Sequence, residues 1–117
     1  MLTLSHKKLE VYSISFNVLK EIYLITKEFP AEEKFSLISQ LRRSAISVCS
    51  NIAEGASRIS KNEKKRFYEI ARSSLVEMDT QLEISYSLAF CNPENLKSLE
   101  KNIESVFRIL SKMISNL

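Results

Sequence analysis

Residues 37–57, LISQLRRSAISVCSNIAEGAS, predict a long central helix that the other helices of the chain must cover. It contains only three charged residues. Its apolar residues recur in steps of three and four, which is the spacing of one helix face: Ile38, Leu41, Ala45, Val48 and Ile52. The other faces hold mainly small residues: Ser44, Ser47, Ser50, Ala53, Gly55 and Ala56. We expect a helix so poor in charge to be covered on most of its sides.

The composition of the whole chain predicts one all-α domain, residues 1–117. One glycine and two prolines leave few tight turns, which favours a few long helices over many strands. No apolar run approaches the roughly 18 residues that span a bilayer, and the N-terminus lacks the pattern of a secretory signal. Cys49 and Cys91 have no C-x-x-C spacing. We therefore expect a cytoplasmic protein with reduced thiols and no membrane partner.

Turn and cap signals divide the chain into four helices. Pro30 ends the first helix, Ser60 with Glu63 forms a capping box, and Asn92 with Pro93 supplies a cap and a first-turn proline. The predicted helices cover about residues 7–27, 33–57, 61–90 and 93–116. Four helices of this length with short connections predict an up-down-up-down antiparallel four-helix bundle.

The last two helices each carry one core face. Helix 3 is expected to bury Phe67, Ala71, Ser74, Leu75, Met78, Leu82, Ser85 and Ala89. The helix 4 face keeps steps of three and four along its whole length and gives the clearest core seam: Leu96, Leu99, Ile103, Val106, Leu110, Met113 and Leu117.

The first helix carries two apolar stripes, centred about 120° apart at about 100° per residue. One stripe is sufficient for packing within a single bundle: Leu9, Tyr12, Phe16, Leu19 and Tyr23. The second stripe requires wider cover by two neighbouring helices, or contact with another subunit. We favour a subunit contact, because exposed apolar stripes of this length usually mark interfaces. The predicted oligomer interface is therefore Val11, Ile14, Val18, Ile22 and Ile25.

No arrangement of residues in the sequence points to catalysis. His6 is the only histidine, which excludes a His-rich zinc site and argues against His-dependent nucleophilic catalysis. A single glycine cannot build a phosphate-cradling loop, and the Glu-x-x-His pairs of di-iron bundles are absent. We predict a protein that is not an enzyme and has no metal, no cofactor and no small-molecule substrate.

A polar group on the second helix is unusual for such an apolar stretch. It comprises Arg42, Arg43, Asn51 and Glu54, and an antiparallel third helix would bring Glu77 within reach of an arginine. These residues could form a binding site that exposes one of the arginines. They could instead form a network of ion pairs and hydrogen bonds that fixes helix register, because buried polar groups need partners. We favour the structural network.

Positive charge is concentrated in residues 58–72, which contain six basic and two acidic residues. The basic residues are Arg58, Lys61, Lys64, Lys65, Arg66 and Arg72, with Tyr68 nearby for stacking. Such a segment can contact phosphates. It can also be an ordinary solvated helix start, and the residues alone favour this second interpretation. In a symmetric ring the segment would be repeated around the assembly, which would strengthen the binding interpretation.

The segment QLRRSAISVCSNIAEGASR, residues 40–58, resembles the signature of a family of four-helix-bundle proteins encoded in intervening sequences of bacterial large-subunit ribosomal RNA genes. The flanking segments agree with the family over nearly the whole chain. Cys49 stands where the family often has proline, and Ser73 where it often has glycine. The residues that match the family motif are Arg42, Arg43, Asn51, Glu54 and Gly55, with Glu77 in the third helix.

The resemblance implies a pentameric ring of four-helix bundles. The family is also similar to the accessory protein of diversity-generating retroelements, a basic pentamer that works with a reverse transcriptase and nucleic acid. We therefore predict a homo-oligomeric protein that binds RNA or another nucleic acid and has no enzymatic activity. The expected phosphate contacts are Arg58, Lys61, Lys64, Lys65 and Arg66, with Arg42 and Arg43 secondary. The alternative is a scaffold protein that binds another protein through the second stripe of helix 1.

Overall fold

The computed structural model describes residues 1–117 and contains four α helices and no strands. The helices are α1 (Glu10–Thr26), α2 (Leu37–Ser57), α3 (Lys61–Ser87) and α4 (Pro93–Ser115). Helices α1 and α3 each pack against both α2 and α4, and neither diagonal pair is in contact. The chain is therefore a four-helix bundle, as predicted. None of its helices is both long enough and apolar enough to cross a bilayer.

Hydrogen bonds between α2 and α3 show how these two helices are oriented. Ser44 donates to Glu77, Ser47 bonds to Ser74, and Lys64 reaches the last turn of α2. Residue numbers rise along one helix as they fall along the other, so α2 and α3 are antiparallel. This pairing places the family motif of α2 directly against the first two thirds of α3.

One core of 20 buried apolar residues runs through the bundle. The predicted core face of α4 is confirmed at its first five positions: Leu96, Leu99, Ile103, Val106 and Leu110. On α3, the predicted face is buried at Ala71, Leu75, Met78, Leu82 and Ser85. Spacing in steps of three and four therefore identified most of the core on these two helices, although Phe67, Ser74 and Met113 are only half-buried and Leu117 is exposed.

The second stripe of α1 lies in the core of the single chain, so the predicted oligomer interface is wrong. Val11, Val18, Ile22 and Ile25 are only 0–9% exposed, and Ile14 is half-buried against the same core. The physical reason is that α1 lies between α2 and α4, and these two neighbours together cover a wide face. The alternative of a scaffold that binds through this stripe is excluded for the same reason.

The observed helix ends differ from the predicted ends at three places. Leu9 and Ser36 have non-helical backbone angles, so α1 begins at Glu10 and α2 at Leu37, each after a short 3₁₀ turn. Helix α3 ends at Ser87 because Ala89 adopts a left-handed conformation with φ 62°. Ala89 is therefore exposed at the turn, and its predicted place in the core is wrong.

Candidate nucleic-acid interface and the polar seam between α2 and α3

Arg42 joins the start of α2 to the end of α1. Its Nε donates to Thr26 Oγ1 at 3.0 Å and its Nη2 donates to the Tyr23 carbonyl oxygen at 3.4 Å. The guanidinium carbon also lies 4.4 Å from the centroid of the Tyr23 ring. The last carbonyls of a helix attract positive charge, so Arg42 caps the C-terminus of α1. Its role is structural, and it is not free for the phosphate contact predicted as secondary.

Arg43, the next residue, is in a different environment. It is exposed and makes no hydrogen bond or ion pair within the chain. It lines a small polar cleft of about 280 Å³ between α2 and α3, together with Gln40, Ser44, Ser47, Ser74 and Glu77. The two adjacent arginines therefore do not form one site, although the sequence grouped them.

The seam between α2 and α3 is held by hydrogen bonds between short side chains. Ser44 Oγ donates to Glu77 Oε1 at 3.0 Å, and Gln81 Nε2 donates to the same carboxylate oxygen at 3.2 Å. Glu77 therefore binds a serine and a glutamine, and not the arginine that was predicted. No ion pair crosses from α2 to α3.

A second pair of hydrogen bonds lies one turn further along the seam. Ser47 Oγ and Ser74 Oγ are 2.8 Å apart, and Asn51 Nδ2 donates to the Ser47 carbonyl oxygen at 2.8 Å. No buried polar side-chain atom in the chain lacks a partner. The seam consequently satisfies its polar groups through hydrogen bonds, which fixes the register of the two helices without a buried ion pair.

Glu54 and Gly55 complete the family motif at the end of α2. Glu54 forms an exposed ion pair with Arg58 at 3.1 Å. Both residues lie at the C-terminal end of α2, so this pair is local and does not cross to α3. Gly55 is buried against α3, where an added Cβ would lie 2.6 Å from Tyr68 Cε1. The glycine is needed for close helix approach, because an atom at that distance forces the Tyr68 ring to move.

Lys64 does not belong to the phosphate-binding set that the sequence predicted. Its Nζ donates to the carbonyl oxygens of Ala56 at 3.0 Å and Gly55 at 3.4 Å. These carbonyls lie in the last turn of α2, so Lys64 caps that helix as Arg42 caps α1. Tyr68 is also unavailable for stacking, because it is only 4% exposed.

Four cations remain exposed at the connection from α2 to α3, and we call them the basic surface: Arg58, Lys61, Lys65 and Arg66. The guanidinium carbons of Arg58 and Arg66 lie 4.8 Å and 5.4 Å from the centroid of the Phe67 ring. Arg66 also approaches Glu63 at 3.6 Å. Lys61 and Lys65 have no acidic partner within the chain.

Two residues of this region were missed by sequence reasoning. Ile59 is 99% exposed between Arg58 and Ser60, and Phe67 was assigned to the core although it is half-buried beside two arginines. An isoleucine in a connection between charged residues is a signal that the sequence contained. The position of Phe67 depends on the angle at which α3 leaves the connection, which the sequence does not show.

The chain contains no group of three or more His, Cys, Asp or Glu side chains that could hold a metal ion. Both cysteines are free thiols. Burial raises the pKa of the Cys49 thiol. It also raises the pKa of the Cys91 thiol, which is half-buried. A raised pKa keeps a thiol protonated and weakly nucleophilic.

Comparison with known proteins identifies the family. The model of the 23S rRNA-intervening sequence protein family matches residues 7–112. The chain belongs to this family. The match includes all of α1, α2 and α3 and most of α4, with the seam and the basic surface. Among curated proteins, none matches the chain.

This family member is also similar in fold to a solved structure. That structure is a crystal structure of a protein with unknown function from the S23 ribosomal protein family of Bacteroides thetaiotaomicron. The two chains share 23% sequence identity over 90% of this chain and 95% of that chain, with a TM-score of 0.82. At this identity the similarity supports the four-helix fold.

Proposed function

We propose that this protein is a homo-oligomeric RNA-binding protein of the cytoplasm, without enzymatic activity, and that its basic surface contacts RNA phosphates. The observation that carries the proposal is the exposure of four cations at one end of the bundle, where α2 meets α3. The family description links such proteins to intervening sequences of 23S rRNA, which is why we favour RNA over DNA.

The charges of the basic surface are available for a polyanion. The ion pairs of Arg58 with Glu54 and of Arg66 with Glu63 lie on the surface, where such pairs contribute at most about 1 kcal/mol. Phosphates can therefore replace these acidic partners at small cost. Each phosphate that a lysine or arginine neutralises releases condensed counterions, and this release favours binding.

The neighbourhood of the cations favours unpaired RNA bases. The guanidinium groups of Arg58 and Arg66 lie near the apolar Phe67 ring, and Ile59 offers an exposed apolar contact between Arg58 and Lys61. Unpaired bases stack on planar guanidinium groups and on aromatic side chains. We therefore propose a structured RNA with a loop or bulge as the ligand.

Our proposal includes an up-down-up-down bundle that assembles into a ring of five chains. The antiparallel contact of α2 with α3 and the cyclic packing of the four helices support this topology. The pentamer rests on the family resemblance, and a ring would multiply the basic surface around one axis. Light scattering should give about five times the mass of one chain. The mass of a single chain would contradict the ring.

Lysine footprinting tests the RNA contact directly. The full-length protein is acetylated with and without an RNA hairpin, and the modified lysines are identified by mass spectrometry. We expect the hairpin to protect Lys61 and Lys65 but not Lys97 and Lys101, which are exposed on α4. No protection, or equal protection of all four lysines, would contradict a contact at the basic surface.

A further inference from the structure

A groove runs along the surface between α3 and α4. Two adjoining clefts of about 330 and 450 Å³ form it, and Asp79 and Glu100 line both. Its apolar lining includes Val76, Leu82, Tyr86, Leu96, Ile103 and Phe107. Three of these side chains remain strongly exposed: Val76 at 53%, Tyr86 at 50% and Phe107 at 40%. The groove thus presents large apolar side chains to solvent.

The walls of the groove carry four carboxylates and no lysine or arginine. Asp79 and Glu83 lie four residues apart on α3, and Glu100 and Glu104 lie four residues apart on α4. All four are exposed, and none takes part in an ion pair of the chain. Arg72 stands at one end, near Phe107, and donates to Ser111. The apolar strip is therefore lined on both sides by unpaired negative charge.

We propose that this groove binds a basic amphipathic helix of a different protein. Two rows of carboxylates with a spacing of four residues match rows of lysine or arginine with the same spacing on both flanks of a helix. An apolar stripe between those rows would cover Val76, Tyr86 and Phe107. The α4 wall from Pro93 to Phe107 is about 21 Å long at 1.5 Å per residue, which fits a helix of about four turns.

The charge of the groove distinguishes this partner from RNA, and the packing of the four helices distinguishes it from a second copy of the chain. Phosphates would be repelled by four carboxylates. All four helices of the chain are packed in its own bundle, so a second copy could present a helix face but not the unpacked amphipathic helix that would fill the groove. A basic helix from another protein fits both the charge and the shape.

Peptide binding to the full-length protein tests this proposal. The probe is a fluorescein-labelled peptide of about 15 residues, with leucines in steps of three and four and lysines on both flanks, which matches the groove length. The control peptide has the same composition in scrambled order. Fluorescence anisotropy should show about tenfold tighter binding of the ordered peptide, equivalent to the burial of one leucine. Equal binding of both peptides would overturn the proposal, because only net charge would then be recognised.

Matched variants locate the peptide on the surface. Glu100→Gln with Glu104→Gln should weaken binding roughly 2- to 30-fold, as expected for the removal of two exposed ion pairs. Glu28→Gln with Glu32→Gln removes the same charge just after α1 and should leave binding unchanged. Equal weakening in both variants would overturn the proposal. A change in oligomer mass in the first variant would also overturn it, because the groove would then be an interface between copies.

Discussion

Gly55 lies where α2 packs closely against Tyr68 of α3, and its replacement by alanine should destabilise the protein. A Cβ there would lie 2.6 and 2.7 Å from two ring atoms of the buried Tyr68. Alanine normally favours a helix by up to about 1 kcal/mol, but overpacking costs about 1–3 kcal/mol. We expect Gly55→Ala to lower the free energy of unfolding by about 1–2 kcal/mol, measured by urea denaturation.

A double-mutant cycle provides the control for Gly55. In a Tyr68→Leu background the ring that collides with the new Cβ is gone, so Gly55→Ala should have much less effect there. An equal fall in stability in both backgrounds would show that the contact with Tyr68 is not the cause.

Ala89 occupies a backbone conformation that favours glycine. Its φ is 62°, and the Phe90 N–H donates to the Ser85 carbonyl oxygen as in a Schellman motif at the end of α3. We expect Ala89→Gly to raise the free energy of unfolding by roughly 0.5–1 kcal/mol, and the melting temperature should rise. Ala53→Gly within α2 is the matched control and should lower stability. A melting temperature that falls in both variants would contradict the left-handed turn.

The buried thiol of Cys49 should make the protein less stable as the pH becomes alkaline. Burial raises the pKa of its thiol above the ordinary value of 9.0. The unfolded chain therefore loses this proton at a lower pH than the folded chain, and the free energy of unfolding falls as the pH rises through about 9. Burial raises the pKa values of Cys91, Tyr12 and Tyr68, which act in the same direction.

The prediction for Cys49 is tested by melting temperatures between about pH 7 and pH 10, a range that spans the ordinary pKa of a thiol. The melting temperature of the unaltered protein should fall over this range, and Cys49→Ala should reduce the fall. A melting temperature that stays constant over the whole range, or a fall of the same size in Cys49→Ala, would contradict a thiol that stays protonated in the folded state.

At the level of the helices, replacing Arg42 and replacing Arg43 should change the stability of the protein by different amounts. Arg42→Ala removes the cap of α1 and its contact with Tyr23, so we expect the free energy of unfolding to fall by about 1–2 kcal/mol. Arg43→Ala removes an exposed side chain without partners and should change stability by less than about 0.5 kcal/mol. Thermal or urea denaturation of the two variants checks this. Equal effects would mean that the two arginines act as one network.

The sequence predicted the four helices and the α4 face because hydrophobic spacing reports a helix with one buried side. It failed on α1, where the stripe of Val11, Val18 and Ile22 resembled a surface interface. Whether a wide apolar face is covered by two neighbours or by another subunit depends on the position of the helix in the bundle. Spacing within one helix carries no information on that position.

The candidate site was predicted less well than the core. Lys61 and Lys64 look equivalent in the sequence, but the end of α2 lies beside Lys64 and binds its ammonium group. In the same way, Tyr68 packs against Gly55 and is buried away from any stacking base. Both outcomes result from the close approach of α2 to α3. The distribution of charge along the sequence identified where positive charge accumulates. Tertiary contacts decide which of those charges remain free.

At the scale of the whole molecule, opposite charges occupy different surfaces. The basic surface lies at the connection from α2 to α3, and the unpaired carboxylates lie along the groove from α3 to α4. Separation of this kind allows a polyanion and a cationic helix to bind at the same time without competing for one surface. We propose that the protein is an adaptor between RNA and a basic protein partner, built on a bundle in which every buried polar side-chain atom has a hydrogen-bond partner.

The salt dependence of RNA binding shows whether the basic surface neutralises RNA phosphates. Two variants of equal net charge are compared with the unaltered protein by anisotropy of a labelled hairpin: Lys61→Gln with Lys65→Gln, and Lys97→Gln with Lys101→Gln. For the first variant, the slope of log affinity against log salt should become shallower by roughly 0.7–0.9 for each phosphate that the protein no longer neutralises. The second variant should keep the original slope. Equal slopes in the two variants, or no binding at low salt, would contradict a phosphate contact at the basic surface.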